Sequence, residues 1–145
     1  MNKVSLQMDS KLENVVFSRS VLVGFLLDLN LDVNFVNELK TVVSEAVTNA
    51  IIHGYKEKTN EIVKLEICYD EENIYINVED NGVGIEDIEK AKEPLYSSNT
   101  NDERAGLGFT IMEVFTDKME IISSLNNGTK LKFIKQYRGF DGLYN

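Results

Sequence analysis

An α+β two-layer sandwich, with helices on one face of a mostly antiparallel mixed sheet, is the fold class this sequence predicts. Three observations lead there. Five segments alternate apolar and polar residues at the period of a strand, and others repeat apolar residues at the period of a helix. Their order is strand, two helices, two strands, two helices, two strands, which does not build the parallel sheet of an alternating βα chain.

The first strand is Lys3 to Met8, where Val4, Leu6 and Met8 share one side and Lys3, Ser5 and Gln7 the other. Ser10 reads as a helix cap, with Glu13 three residues on completing a capping box. Leu12, Val15, Val16, Leu22, Val23 and Leu26 then recur at helical spacing up to about Leu29. Asn30 to Asn34 is a polar break. A second helix from near Phe35 to Ile52 carries the stripe Phe35, Leu39, Val42, Val43, Ala46, Val47 and Ala50, and Gly54 ends it. Glu45 and Asn49, one turn apart, fall on the edge of that stripe, so they flank the core at a pocket rim.

Val63 to Tyr69 and Ile74 to Val78 both alternate, and Asp70 to Asn73 joins them as antiparallel neighbours. A short helix is expected from Ile85 to about Lys92, stopped near Pro94. Leu95 to Ala105 is polar and without period, as a loop is. Gly106-Leu107-Gly108 leads into a helix from Phe109 to about Phe115. Strands near Met119 to Ser124 and Thr129 to Lys135 close the chain, turned by Asn126-Asn127-Gly128. Residues 1–137 thus form one domain, and 138–145 a frayed tail.

The 145 residues, 43% hydrophobic and 27% charged, suit one folded domain. Lys and Arg number 15 against 24 Asp and Glu, a net charge of −9 that repels phosphate backbones and disfavours direct nucleic-acid binding. Cys68 is the single cysteine and sits in a strand, where it serves as a small buried hydrophobe in a reducing compartment. The apolar run Val21 to Leu27 is far short of a membrane span, and the start lacks a signal peptide's blocks, so a cytoplasmic location is expected.

Three motifs carry chemistry. Magnesium takes oxygen ligands and keeps several waters, so the Asn49 carboxamide together with nucleotide phosphates is a sufficient donor set. Glu45, one turn earlier, can accept a proton from an attacking hydroxyl. Taken alone, the pair also fits the polar flank of an amphipathic helix. In Asp80-x-Gly82-x-Gly84, the glycines permit close backbone approach to a ligand, and Asp80 at a strand end can accept a hydrogen bond from an exocyclic amine such as adenine's. A plain turn is the alternative. Gly106-Leu107-Gly108 before a helix offers free N–H groups to phosphate, and Arg104 just ahead could bind a γ-phosphate bidentately, or simply be a solvated loop charge. His53, the only histidine, stands at a helix end next to Gly54, where it serves as a structural cap.

The set Glu45-x-x-x-Asn49, Asp80-x-Gly82-x-Gly84 and Gly106-x-Gly108, in this order, resembles the GHKL superfamily of ATP-binding domains, whose fold is the Bergerat fold. The runs Thr41 to Tyr55 and Glu103 to Glu113 look like its anti-sigma factor and serine kinase branch, in particular the anti-sigma F factors. The likeness extends from Val4 to about Lys135. The resemblance implies a homodimer that binds sigma F and holds it inactive, and that uses ATP and Mg2+ to phosphorylate a serine of an anti-anti-sigma factor. It implies Glu45 as base, Asn49 as metal ligand, Asp80 as adenine acceptor, and Gly82 and Gly84 closing around the nucleotide, ATP or ADP. Gly106, Leu107 and Gly108 would cradle phosphate, and Thr129 would complete the adenine side through its hydroxyl. Ser97 to Ala105 would be a lid, with Arg104 touching phosphate or partner, and Arg19 would contact a partner.

Two departures stand out: Val15 and Val16 make the helix around Arg19 more apolar than the family pattern, and the lid lacks a lysine, leaving Arg104 as the only nearby cation. A general-stress anti-sigma B kinase is an alternative that co-purification with its sigma factor would separate. A non-catalytic ATP-gated binding module is another, recognised by complexes without phosphoserine. A free histidine-kinase domain lacks room here for the helices that present the phosphoacceptor.

Overall fold

The computed structural model describes residues 1–93 and 107–138. The chain opens with β1 (Asn2–Asp9), then α1 (Glu13–Leu26), prolonged by a 3-10 turn at Leu27–Leu29. Next come α2 (Val33–Asn49), which runs into a π-helical turn at Ala50–Gly54, and the strands β2 (Ile62–Tyr69) and β3 (Asn73–Asp80). The short α3 (Ile88–Ala91), α4 (Leu107–Val114), β4 (Lys118–Ser123) and β5 (Thr129–Gln136) complete it. The order of elements is the one the periodicities predict.

The sheet runs β1-β2-β3-β5-β4. Every pairing among the described residues is antiparallel, where a mostly antiparallel mixed sheet was expected. Strand alternation builds its apolar face row by row. Val4, Ile67, Ile76, Phe133 and Met119 pair across all five strands, and Leu6, Leu65, Val78, Leu131 and Ile121 form the next row. These rows meet Leu39, Val42, Val43, Val47 and Met112 of the helices in one core. Each fully buried aliphatic or aromatic side chain there contributes about 1.5–3 kcal/mol. The row between them, Ser5, Glu66, Asn77, Lys132 and Glu120, points the other way and is polar. The helices therefore occupy a single face.

The third inward row differs. Asp80 pairs with Thr129 and Thr129 with Ser123, so the apolar face of β3, β5 and β4 ends in three polar side chains. That edge is where a ligand can be met.

The expected Ser10 capping box does not form. The Ser10 hydroxyl, fully buried, donates to the Lys58 carbonyl and accepts from the Glu61 N–H, tying the end of β1 to the segment ahead of β2. With its hydroxyl so engaged, Ser10 leaves α1 to start after Leu12 without a side-chain cap. Of the residues that recur at helical spacing in α1, Leu12 and Val16 are exposed, while Val15, Leu22 and Leu26 are buried. α1 is apolar on both sides, so periodicity could not choose its inner face. α3 is shorter than the Ile85–Lys92 reading because Asp87 caps it, accepting from the Lys90 N–H at 3.1 Å. The Asn126-Asn127-Gly128 turn is as expected, with left-handed backbone at Asn126 and Gly128.

At the other end of the sheet, Tyr137 is buried. Its hydroxyl donates to the Asp70 carbonyl at 2.5 Å and its N–H to the Glu72 carbonyl at 2.9 Å, holding the β2–β3 turn. The expected lid, Ser97 to Ala105, and nearly all of the tail lie outside the described residues. No helix among the described residues is long and apolar enough to cross a membrane.

Candidate functional site

A cavity of about 850 Å³ opens between α2, the loop after β3, α3, the start of α4 and the start of β5. Glu45 and Asn49 line it from α2, and Asp80, Gly84, Thr129 and Gly108 line it from the other elements. Residues far apart in the chain thus share one space.

Glu45 sits on the inner edge of the α2 stripe and is 7% exposed, with further partners around it. Gly108, in the first turn of α4, lies directly against it. A methyl on Gly108 would stand 2.9 Å from Glu45 Oε2 and 3.5 Å from Asn49 Nδ2. Only a residue without a side chain lets α4 begin so close to this carboxylate and carboxamide. Two side-chain oxygen donors and the N-terminal end of a helix are thereby gathered at one end of the cavity, which favours a hydrated divalent cation and phosphate. Among the described residues no cluster of three or more His, Cys, Asp or Glu forms a closed metal site.

At the other end stands Asp80, 6% exposed. Burial pushes its carboxyl up to about 6, against the lowering effect of hydrogen bonds from the Gly82 and Thr129 N–H groups, with Glu79 adding to the rise. The Gly82 N–H reaches Asp80 Oδ1 at 2.9 Å.

The loop that follows is fastened on both sides. The Asn81 N–H donates to the Tyr55 hydroxyl at 2.7 Å, and that hydroxyl donates to the Ile62 carbonyl at 2.5 Å. The Val83 N–H donates to the Gly54 carbonyl at 2.9 Å, Asn126 N–H to Val83 O at 2.6 Å and Gly128 N–H to Gly82 O at 3.1 Å. The Ile85 N–H donates to Ser123 Oγ at 2.8 Å. The end of α2 and the β4–β5 hairpin thus hold the loop between them.

Among the residues singled out from sequence, Glu45, Asn49, Asp80, Gly84, Gly108 and Thr129 come together in the cavity. Gly82 does not line it. It lies against the Gly54 backbone, where any Cβ would overlap the Gly54 carbonyl, so it joins helix to loop. Gly84 combines a cavity position with a left-handed φ of 74°. Arg104 and Gly106 lie outside the described residues, as does the Leu107 side chain. Arg19 is not part of the cavity. Half-buried on α1, it donates to Ser44 Oγ at 3.0 Å, one residue before Glu45. His53 is in the π turn and lines the cavity, beyond the cap role read from sequence.

The structure adds residues that no sequence motif includes. Lys56 and Lys90 also line the cavity and bring two cations to it. Only the fold brings them there. Tyr55 and Ser123 organise the loop from behind. Ser123 could have been found, since it continues the inward alternation of Met119 and Ile121.

Comparison with known proteins bears on this geometry. The family model described as the histidine kinase-like ATPase domain matches residues 8–135. Among curated proteins, the chain is 47% identical over 130 residues to the anti-sigma F factor of Clostridium perfringens, covering 90% of this chain and 93% of that one. It is 43% identical over 144 residues to the anti-sigma F factor of Oceanobacillus iheyensis, covering 99% of each. Among solved structures, the RsbU and RsbW domains of a Mycobacterium tuberculosis protein superpose with a TM-score of 0.66 at 15% identity, over 93% of this chain and 32% of that one. The histidine kinase domain of a blue-light activated kinase from Erythrobacter litoralis gives 0.56 at 18% identity, over 88% and 61%. These two share the fold.

Proposed function

Because the chain belongs to the histidine kinase-like ATPase family, among the anti-sigma F factors, we propose that it restrains sigma F and phosphorylates a serine of an anti-anti-sigma factor with ATP. The observation that carries this reading is the cavity with Glu45 and Asn49 against Gly108 at one end and Asp80 beside Thr129 at the other.

Asp80 receives the adenine amine, and Gly84 admits the base edge to the cavity wall. Asn49 offers the carboxamide oxygen for Mg2+, which when bound offsets charge on the phosphates. Gly106, Leu107 and Gly108 meet the phosphates at the start of α4, with Arg104 contacting phosphate or the docked protein. Glu45 accepts the hydroxyl proton of the incoming serine as its oxygen attacks the γ-phosphorus and ADP leaves. Residues 1–137 act as the working domain, residues 138–145 as a tail, and two copies pair as a homodimer with Arg19 facing the partner protein.

The test incubates the purified chain with labelled ATP, Mg2+ and a candidate anti-anti-sigma protein, with and without the sigma factor. Phosphoserine on the small partner, lost in Glu45→Ala while nucleotide still binds, is the expected result. Stable nucleotide-dependent complexes with no phosphoserine would instead establish a binding module without transfer.

A further inference from the structure

We infer that Ser123 is a positioning residue that makes the Thr129 hydroxyl an obligate hydrogen-bond acceptor and so selects a purine carrying an exocyclic amine. The inference rests on the nucleotide reading above and deepens it.

Asp80, Thr129 and Ser123 are cross-strand partners in the last inward row of β3, β5 and β4. Asp80 and Thr129 line the cavity, whereas Ser123 stands behind them. Ser123 Oγ has three neighbours: the Ile85 N–H at 2.8 Å, the Gly128 carbonyl at 2.7 Å and Thr129 Oγ1 at 2.8 Å. A hydroxyl has one hydrogen and two acceptor positions, and a carbonyl can only accept. The Ser123 hydrogen therefore goes to Gly128. Its oxygen accepts from Ile85 and, in the third contact, from the Thr129 hydroxyl. All three of its capacities are then used.

The consequence falls on Thr129. Its hydrogen is held away from the cavity, and its lone pairs are what it offers to a ligand. Asp80, when ionised, is also an acceptor. This end of the cavity consequently offers acceptors from both side chains, which suits the two N–H groups of an amine. A 6-oxo purine places an oxygen where those hydrogens belong. Buried groups left without a partner discriminate more strongly than missing apolar contacts do.

The experiment measures calorimetric affinities for ATP and for inosine 5'-triphosphate, both with Mg2+, and takes their ratio. Variants are Ser123→Ala, Ser123→Thr, Thr129→Val and the double variant Ser123→Ala with Thr129→Val. Thermal unfolding of each nucleotide-free variant checks that it is folded. Freed from Ser123, Thr129 can turn its hydrogen toward an oxo group, so Ser123→Ala is expected to lower the preference for ATP about tenfold. Ser123→Thr, which keeps the hydroxyl, retains the preference within about twofold, and adding Ser123→Ala to Thr129→Val changes it by less than about twofold. If Ser123→Ala weakens both nucleotides equally, Ser123 is merely structural and the inference fails while the nucleotide reading stands. Should Ser123→Ala not fold, Thr129→Val probes the same ratio, and an unchanged preference there overturns the inference. If the unaltered chain binds neither nucleotide, the reading beneath it fails as well.

Discussion

Asp80 is a carboxylate in a place that favours its neutral form, and two opposite pH dependences follow. Its folded-state value near 6 lies above the ordinary 3.8, so between about pH 4 and 6 the folded chain keeps a proton that the unfolded chain has released. Its contribution to stability is therefore most favourable below that window, falls as pH rises through it and is level above. With the carboxyl raised from 3.8 to about 6, its buried charge at neutral pH costs on the order of 3 kcal/mol. Asp80→Asn is accordingly expected to raise neutral-pH stability by about 1–3 kcal/mol in urea unfolding while destroying affinity for ATP. Ligand binding runs the other way, because only the ionised carboxylate accepts from an amine at both oxygens. ATP affinity should fall as pH drops below 6, with proton release on binding in that range, measurable by calorimetry in buffers of different ionisation heat. Glu45 gives a contrasting expectation: Glu45→Gln keeps size and polarity but not basicity, so transfer should fall by about 10²–10⁴ with ATP affinity within about threefold. Of these residues, Asp80, Glu45 and Asn49 were singled out by the three motifs taken together and the resemblance they carry, since spacing alone also fits a plain turn and the polar flank of a helix. Lys56 and Lys90 were not, since nothing local in their sequence marks a cavity wall.

At the level of elements, the junction between α2 and the loop after β3 decides whether the two ends of the cavity face each other. Tyr55 bridges it with one hydroxyl that serves both the Asn81 N–H and the Ile62 carbonyl. Tyr55→Phe preserves volume but strands both backbone groups, so a loss of about 1–3 kcal/mol in unfolding is expected, together with weaker ATP binding. Gly108→Ala tests the opposite junction. Its methyl would press on Glu45 Oε2, forcing α4 away, and transfer should suffer more than adenine recognition does. The helix and strand periods gave these elements their order, but not the partners of Ser10, whose hydroxyl looked like a local cap and proved to be a long-range tie. A capping box is a short local pattern, and a buried serine 51 positions from its N–H donor leaves no such pattern. Likewise, an α1 that is apolar around its circumference cannot announce which side meets the core.

For the whole molecule, the described fold closes at Tyr137, which the β2–β3 turn holds in place. The proposed boundary at 137 makes a simple prediction. Ending the chain after Arg138, which keeps the guanidinium over the Tyr137 ring, should leave the Tm within about 2 °C, whereas Tyr137→Ala should cost about 3–5 kcal/mol. A thermal melt of the two variants separates them. The sheet's two faces were legible because alternation fixes which side chains share a face once one row is known. The strand order was not, since β5 inserts between β3 and β4 and no local pattern states that preference.

The π turn at Ala50–Gly54, closed by the Tyr55 N–H to the Ala50 carbonyl, sets the phase of everything after α2. Loss of a single residue within it would let the backbone relax into ordinary helix, yet rotate the following glycine by about 100° about the axis. Gly54 would no longer abut Gly82, and Tyr55 would point away from Asn81. Substitutions can be absorbed at many positions of this segment, but its length is a gear-tooth count, and variants one residue shorter or longer should be the rarest survivors of any deletion scan.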